Sequence, residues 1–132
     1  MQWTPVVCLI AVLEYLFFTS RVGAARVRLE VPAPATTGNE EFERYFRVQQ
    51  NTLEQLVVFL PAALGFAWFL SDVAAAGLGA VWIVGRALYF RGYVLDPRRR
   101  AVGMILTFGS NVVLVLGALG AAVWGLVRTA GS

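Results

Sequence analysis

Four polar side chains recur at helical spacing where the chain is turning apolar. Arg44, Arg47, Asn51 and Glu54 stand at i, i+3, i+7 and i+10. At 100° per residue they share one helix face, within an arc of about 80°, and Gln55 extends the stripe. A second set, Arg86 with Tyr89 or Phe90 and Tyr93, falls at i, i+3/i+4 and i+7, again on one face. Arg98-Arg99-Arg100 follows. Three successive residues cannot all face inward on a helix, so most of this run is a solvated flank against lipid phosphate. Together these groups offer guanidiniums, an amide, a carboxylate and two phenols. Their complement is a small zwitterionic anion with more than one carboxylate and one amine: the arginines take the carboxylates and Glu54 the amine. A purely structural lock between Arg47 and Glu54 fits the same pattern. Those two lie roughly 10 Å apart along the axis, so each pairs more readily with another helix or a ligand. Tyr89 and Tyr93 also fit an interfacial aromatic belt.

The elements that carry these groups are set by composition. The 132 residues are 58% hydrophobic and 14% charged, with mean hydropathy +0.68. Soluble domains are about 25% charged, and a small domain cannot hide this much apolar surface. An integral membrane protein follows. Apolar runs cover approximately residues 3–28, 41–70, 74–93 and 98–127, each near the ~20 residues a spanning helix needs. The runs are continuous rather than alternating, which excludes a β-barrel. The expected fold is all-α: one transmembrane domain over residues 1–132, a four-helix up-down bundle. Residues 31–39, rich in Pro, Gly and Thr, break the first connection, and Pro97 suits the first turn of the last helix.

Charge orients the bundle. Of the 11 cations, all arginine, ten flank the first and third connections and only Arg128 lies at the other end. The positive-inside rule makes that face cytoplasmic. Trp3, Trp68, Trp82 and Trp124 are expected to form an aromatic belt at the opposite ends. The lack of lysine is equally an effect of codon bias and a hint of carboxylate ligands, since arginine makes the better clamp. A cleaved signal peptide is the competing reading of the first span, but its start carries no positive charge. With no histidine and only Cys8, no metal site and no disulfide framework are expected, and Cys8 reads as a packing residue. Asn111 reads as an interhelical hydrogen bond, and Gly103, Gly109, Gly117 and Gly120 as close-packing positions.

These residues carry a family resemblance. Ala25-Arg26, Pro32 with Thr36-Thr37-Gly38, the run from Glu41 to Arg47 with Gln49, Asn51 and Glu54, the run from Arg86 to Tyr93, and Arg100 together resemble the MAPEG family, membrane-associated proteins in eicosanoid and glutathione metabolism. The resemblance spans about residues 25–100. It implies a homotrimer with glutathione as co-substrate bound between subunits. Arg47, Asn51 and Glu54 of one protomer would hold the tripeptide, helped by Gln49 and Arg26, and Arg86, Tyr89 and Tyr93 would come from its neighbour. Arg100 would face the sulfur as the catalytic group. In the family's leukotriene-forming branch a tyrosine follows the glutamate; here Gln55 does, and a second basic residue after Arg26 is replaced by Val27. An eicosanoid substrate does not follow.

The expected function is a membrane-bound glutathione transferase, with peroxidase activity as a variant. A guanidinium near a thiol favours the thiolate by about one to three pK units, so the chain needs no nucleophile of its own. The partners implied are glutathione, a hydrophobic electrophile from the lipid and membrane lipid itself, with no nucleic acid. A bacterial inner membrane suits the short chain, or the endoplasmic reticulum membrane in a eukaryote. Two other readings stand beside this one: a non-catalytic lipid-binding member of the family, and a small multidrug/proton antiporter using Glu14.

Overall fold

The structure, a computed structural model, describes residues 1–131. Four helices, α1 (Trp3–Leu29), α2 (Glu40–Phe69), α3 (Asp72–Leu95) and α4 (Ala101–Ala130), are joined by loops and by a 3-10 turn, Pro97–Arg100, that leads into α4. Each helix is long and apolar enough to cross a membrane. A backbone inside lipid must satisfy its own hydrogen bonds, and helices do so. The short link at Leu70 and Ser71 makes α2 and α3 antiparallel neighbours. Side-chain contacts fix the register: Phe59 stacks on Trp82 with ring centroids 4.6 Å apart, and Gln49 donates to the Thr19 hydroxyl at 3.1 Å.

Helix ends are closed by local chemistry. Asn39 Oδ1 accepts from the Phe42 N–H at 2.9 Å, and Ser71 Oγ accepts from the Ala74 N–H at 3.1 Å. These side chains satisfy donors that a helix start leaves free. Gly38, at φ +108°, turns the chain into Asn39 through a conformation that disfavours side chains. The start of α1 lacks a cap of its own and borrows one. The Asp72 carboxylate accepts from the N–H groups of Gln2, Trp3 and Thr4 at 3.0, 2.9 and 2.9 Å. At the arginine-rich end, Arg28 pairs with Glu41 at 2.8 Å.

Apolar burial does not drive helices together in lipid; close approach does. Gly103 lies against α3, where an added Cβ would meet the Gly85 carbonyl oxygen at 2.6 Å and press on the Tyr89 backbone. Gly117 is similarly covered by the Phe66 ring, whereas Gly109 and Gly120 face open space within the protomer. Asn111 makes the expected interhelical bond, donating to Gln55 Oε1 at 2.8 Å. Cys8 is buried in the core with Ala11, Ala63, Ala75 and Leu114. Leu9, Leu13, Val57, Leu116 and Leu119 are exposed, the outward-facing apolar surface of an integral membrane protein.

One expected feature is corrected. Trp3, Trp68 and Trp124 are exposed, but Trp82 is fully buried and belongs to the core, not to a belt. All three other helices pack on α3, so an indole one turn before Arg86 in the chain has protein on every side.

Candidate functional site

At the arginine-rich end, the N-terminal half of α2, the C-terminal half of α3 and the start of α4 diverge around a cleft of about 480 Å³. That is within the ordinary size of a small-ligand site. Arg47, Asn51 and Glu54 enter from α2, Tyr89 and Tyr93 from α3, and Arg100 from the turn before α4. The phenol rings of Tyr89 and Tyr93 stack at 5.5 Å, and the Arg100 guanidinium lies 5.9 Å from the Tyr93 ring centre. Arg100 is the last residue of the turn and runs straight into α4 in helical conformation, while the start of the turn is capped by the Asp96 side chain, which accepts from the Arg98 N–H at 3.1 Å. One neighbouring cation is drawn off: Arg98 folds back on Asp96, Nη2 to Oδ2 at 3.2 Å.

The lock between Arg47 and Glu54 is overturned. Among the described residues the ion pairs are Arg28–Glu41, Arg44–Glu40 and Arg98–Asp96. Arg47 and Glu54 are thus unpaired charges on the cleft wall. Asn51 Oδ1 is buried in that wall without a hydrogen-bond partner. A buried acceptor left unmade costs stability, and a ligand N–H would satisfy it.

Four expected positions need correction. Arg44 belongs to the sequence stripe but not to the cleft. Its guanidinium reaches the Val94 and Leu95 carbonyls, both at 3.4 Å, closing the C-terminal end of α3. Arg26 donates to the Ala35 carbonyl at 2.7 Å and lies over the Phe42 ring at 4.7 Å, so in this chain it holds the first connection rather than a ligand. Gln49 is turned to α1 through Thr19. Arg86 is fully buried beneath Tyr89, its guanidinium 4.3 Å from that ring's centre, and it does not line the cleft. The division of the site between neighbours also changes. Tyr89 and Tyr93 share a cleft with Arg47, Asn51 and Glu54 of the same chain, because α2 and α3 are antiparallel neighbours.

The cleft also recruits residues that the sequence reading passed over. Glu43, Phe46 and Gln50 continue the α2 stripe, Met104 comes from α4, and Thr36 and Thr37 fold in from the loop that Arg26 fastens. The first three were accessible to the same 3.6-residue periodicity; the loop threonines were not. One turn deeper, a second groove of about 280 Å³ opens between α2 and α4, lined by Gln55, Val58, Phe108, Asn111, Val112, Val115 and Leu116. It is apolar apart from the Gln55–Asn111 pair.

Comparison with known proteins converges on one group. A profile of the MAPEG family matches residues 4–120. The chain is similar to microsomal glutathione S-transferase 2 of Homo sapiens, 40% identical over 117 residues that cover 88% of this chain and 80% of the relative. It is 36% identical to leukotriene C4 synthase of Bos taurus over 115 residues, 86% and 77% of the two chains. An uncharacterised protein of Synechocystis is 47% identical over 124 residues, 94% of this chain and 90% of that one.

Proposed function

The chain belongs to the MAPEG family, and on that footing we propose that it is a membrane-bound glutathione transferase whose cleft grips the tripeptide and holds its sulfur as thiolate. The observation that carries this reading is the meeting of Arg47, Asn51, Glu54, Tyr89, Tyr93 and Arg100 around one cleft, with the charges of Arg47 and Glu54 unpaired. Arg47 takes a carboxylate of glutathione, Glu54 its ammonium, and Asn51 Oδ1 an amide N–H. The Tyr89–Tyr93 stack walls the cysteinyl part. Arg100 and the start of α4 face the sulfur.

A free thiol of pKa about 8.5 is only a few per cent ionised at neutral pH. A guanidinium close by reverses that balance. The thiolate then donates its electron pair to an electrophilic carbon: the S–C bond forms, and the bond to the leaving group breaks with the leaving group taking its pair. The proton lost earlier from the thiol passes to water at the open mouth. The hydrophobic acceptor arrives from the lipid along the α2–α4 groove, one turn below Glu54 and Met104.

The protein works as a homotrimer; Arg26 and Gln49, bonded to Ala35 and Thr19 outside the cleft of their own chain, reach a neighbour's glutathione only by exchanging those bonds. The site faces the cytoplasm, as the arginine distribution requires. Arg100 on the cleft wall favours catalysis over lipid scaffolding, and Glu14, with its Oε1 enclosed by the protomer, suits an exporter poorly. Purified protein should bind glutathione at equilibrium and conjugate it to a chlorodinitrobenzene-type acceptor, with release of chloride. Binding without turnover would leave the scaffold reading; no binding would end the proposal.

A further inference from the structure

The most costly side chain in the molecule is not in the cleft. Arg86 has no solvent exposure at all, and its Nε, Nη1 and Nη2 are all buried without a hydrogen-bond partner. An arginine does not discharge itself, and an unpaired buried charge is strongly destabilising. Some group must answer it. Around Arg86, the titratable neighbours are Tyr89 on its own helix and Glu14 on α1. Glu14 is the acidic one, and its own charged neighbour is Arg86. No direct contact within 4.0 Å joins the two among the described residues. Glu14 Oε1 is itself buried and without a partner. Acceptor and donors thus stand unsatisfied on facing helices, the arrangement that ordered water bridges.

The register of the bundle makes this meeting deliberate. Thr4 hydrogen-bonds the Asp72 backbone carbonyl at 3.0 Å, and Val7 packs where a Cβ on Gly79 would lie. Along the parallel pair α1 and α3, the 72-residue offset of the Val7–Gly79 contact carries Glu14 to the level of Arg86. Above Arg86, its guanidinium stacks on Tyr89, whose other charged or titratable neighbours are Tyr93, Arg100 from the turn before α4, and Arg47 from α2. The buried cation therefore lies one aromatic ring below the wall that the thiol would face.

We propose that Glu14 and Arg86 form a water-bridged charge pair under Tyr89, and that Glu14 is a positioning residue that sets how strongly Arg86 polarises the thiol site. This rests on the glutathione reading above. Glu14 touches no substrate. It holds the guanidinium against the ring and offsets its charge, so that the cleft feels a moderated positive field. In a low-dielectric setting the unscreened cation would over-stabilise the thiolate, and a thiolate held too firmly is a poorer nucleophile.

The test uses the full-length protein in detergent and glutathione as probe, with bound thiolate titrated by ultraviolet absorbance. Glu14→Gln keeps the shape and removes the counter-charge. The thiolate midpoint should fall by about 0.5 to one pH unit, a three- to tenfold gain in ionised fraction on the acid limb. Arg86→Gln should raise the midpoint, the double variant should lie near wild type, and Glu14→Asp should restore it. An unmoved midpoint in Glu14→Gln, with glutathione still bound, overturns the inference while leaving the transferase reading intact. A shift of the same sign in both single variants also overturns it. The pair is read independently of any ligand by detergent unfolding of the same four proteins: coupled charges give non-additive losses, and additive losses refute the pair even if glutathione never binds.

Discussion

Arg100→Ala separates gripping the tripeptide from ionising its sulfur. A guanidinium about 4 Å from a thiolate, at an effective dielectric near 20, is worth about 4 kcal/mol. Arg100 stands exposed at the cleft mouth, so water screens part of that, and about half is a realistic share. The expected loss is therefore one to two pK units, since one unit is about 1.4 kcal/mol. Bound-thiolate absorbance titrated against pH should show the midpoint raised by that amount. The sign is that of an acid losing a cation: the thiolate fraction falls at neutral pH and recovers as pH rises through the new midpoint. Turnover at pH 7 should drop about ten- to a hundredfold and converge on wild type in alkali, while the glutathione Kd changes less than tenfold. Arg100→Lys should fall between. An unchanged thiolate midpoint in Arg100→Ala would refute the reasoning, because the sulfur would then be ionised by something other than this side chain.

The remaining expectations are briefer. Arg47→Ala and Glu54→Ala each remove one charge-assisted contact, about 1.5–3 kcal/mol, and should weaken glutathione binding roughly ten- to a hundredfold by calorimetry, with little effect on the thiolate midpoint of what still binds. Gly103→Ala pushes a methyl against the Gly85 carbonyl and the Tyr89 backbone; it should cost about 1–3 kcal/mol in detergent unfolding and lower affinity, because Tyr89 must move. Asp72→Ala strips three N–H partners from the start of α1 and should lower the thermal midpoint more than Asp72→Asn does. In the link before α4, hydrogen bonding from the Arg98 side chain and backbone holds the Asp96 carboxyl below its ordinary value. Its contribution is present above the unfolded carboxylate range, near pH 4, and lost as pH falls through it; Asp96→Asn should flatten that limb of a stability–pH curve.

Much of this arrangement was legible as periodicity, and what escaped it did so for definable reasons. A polar stripe at 3.6-residue spacing inside an apolar run has to face something other than lipid, and Arg47, Asn51 and Glu54 indeed share one wall. Spacing fixes a face but not its neighbour. Arg44 lies within the same arc, yet one turn nearer the helix start it meets the end of α3 and caps it. Trp82 lies ten residues into α3, about 15 Å from its start and too deep for a belt, and α3 is packed on by every other helix. Arg86 shows the same limit from the opposite side. Its spacing from Tyr89 and Tyr93 correctly placed all three on one face of α3, but the tyrosines rise into the cleft while Arg86 stops a turn short, facing α1. Only the three-dimensional register brings Glu14 to that level, from a helix 72 residues earlier in the chain. A lone acid in the first span and a fully buried arginine in the third each look like an expense without a purpose when read separately; at one level of one bundle, each becomes the reason the other is tolerated.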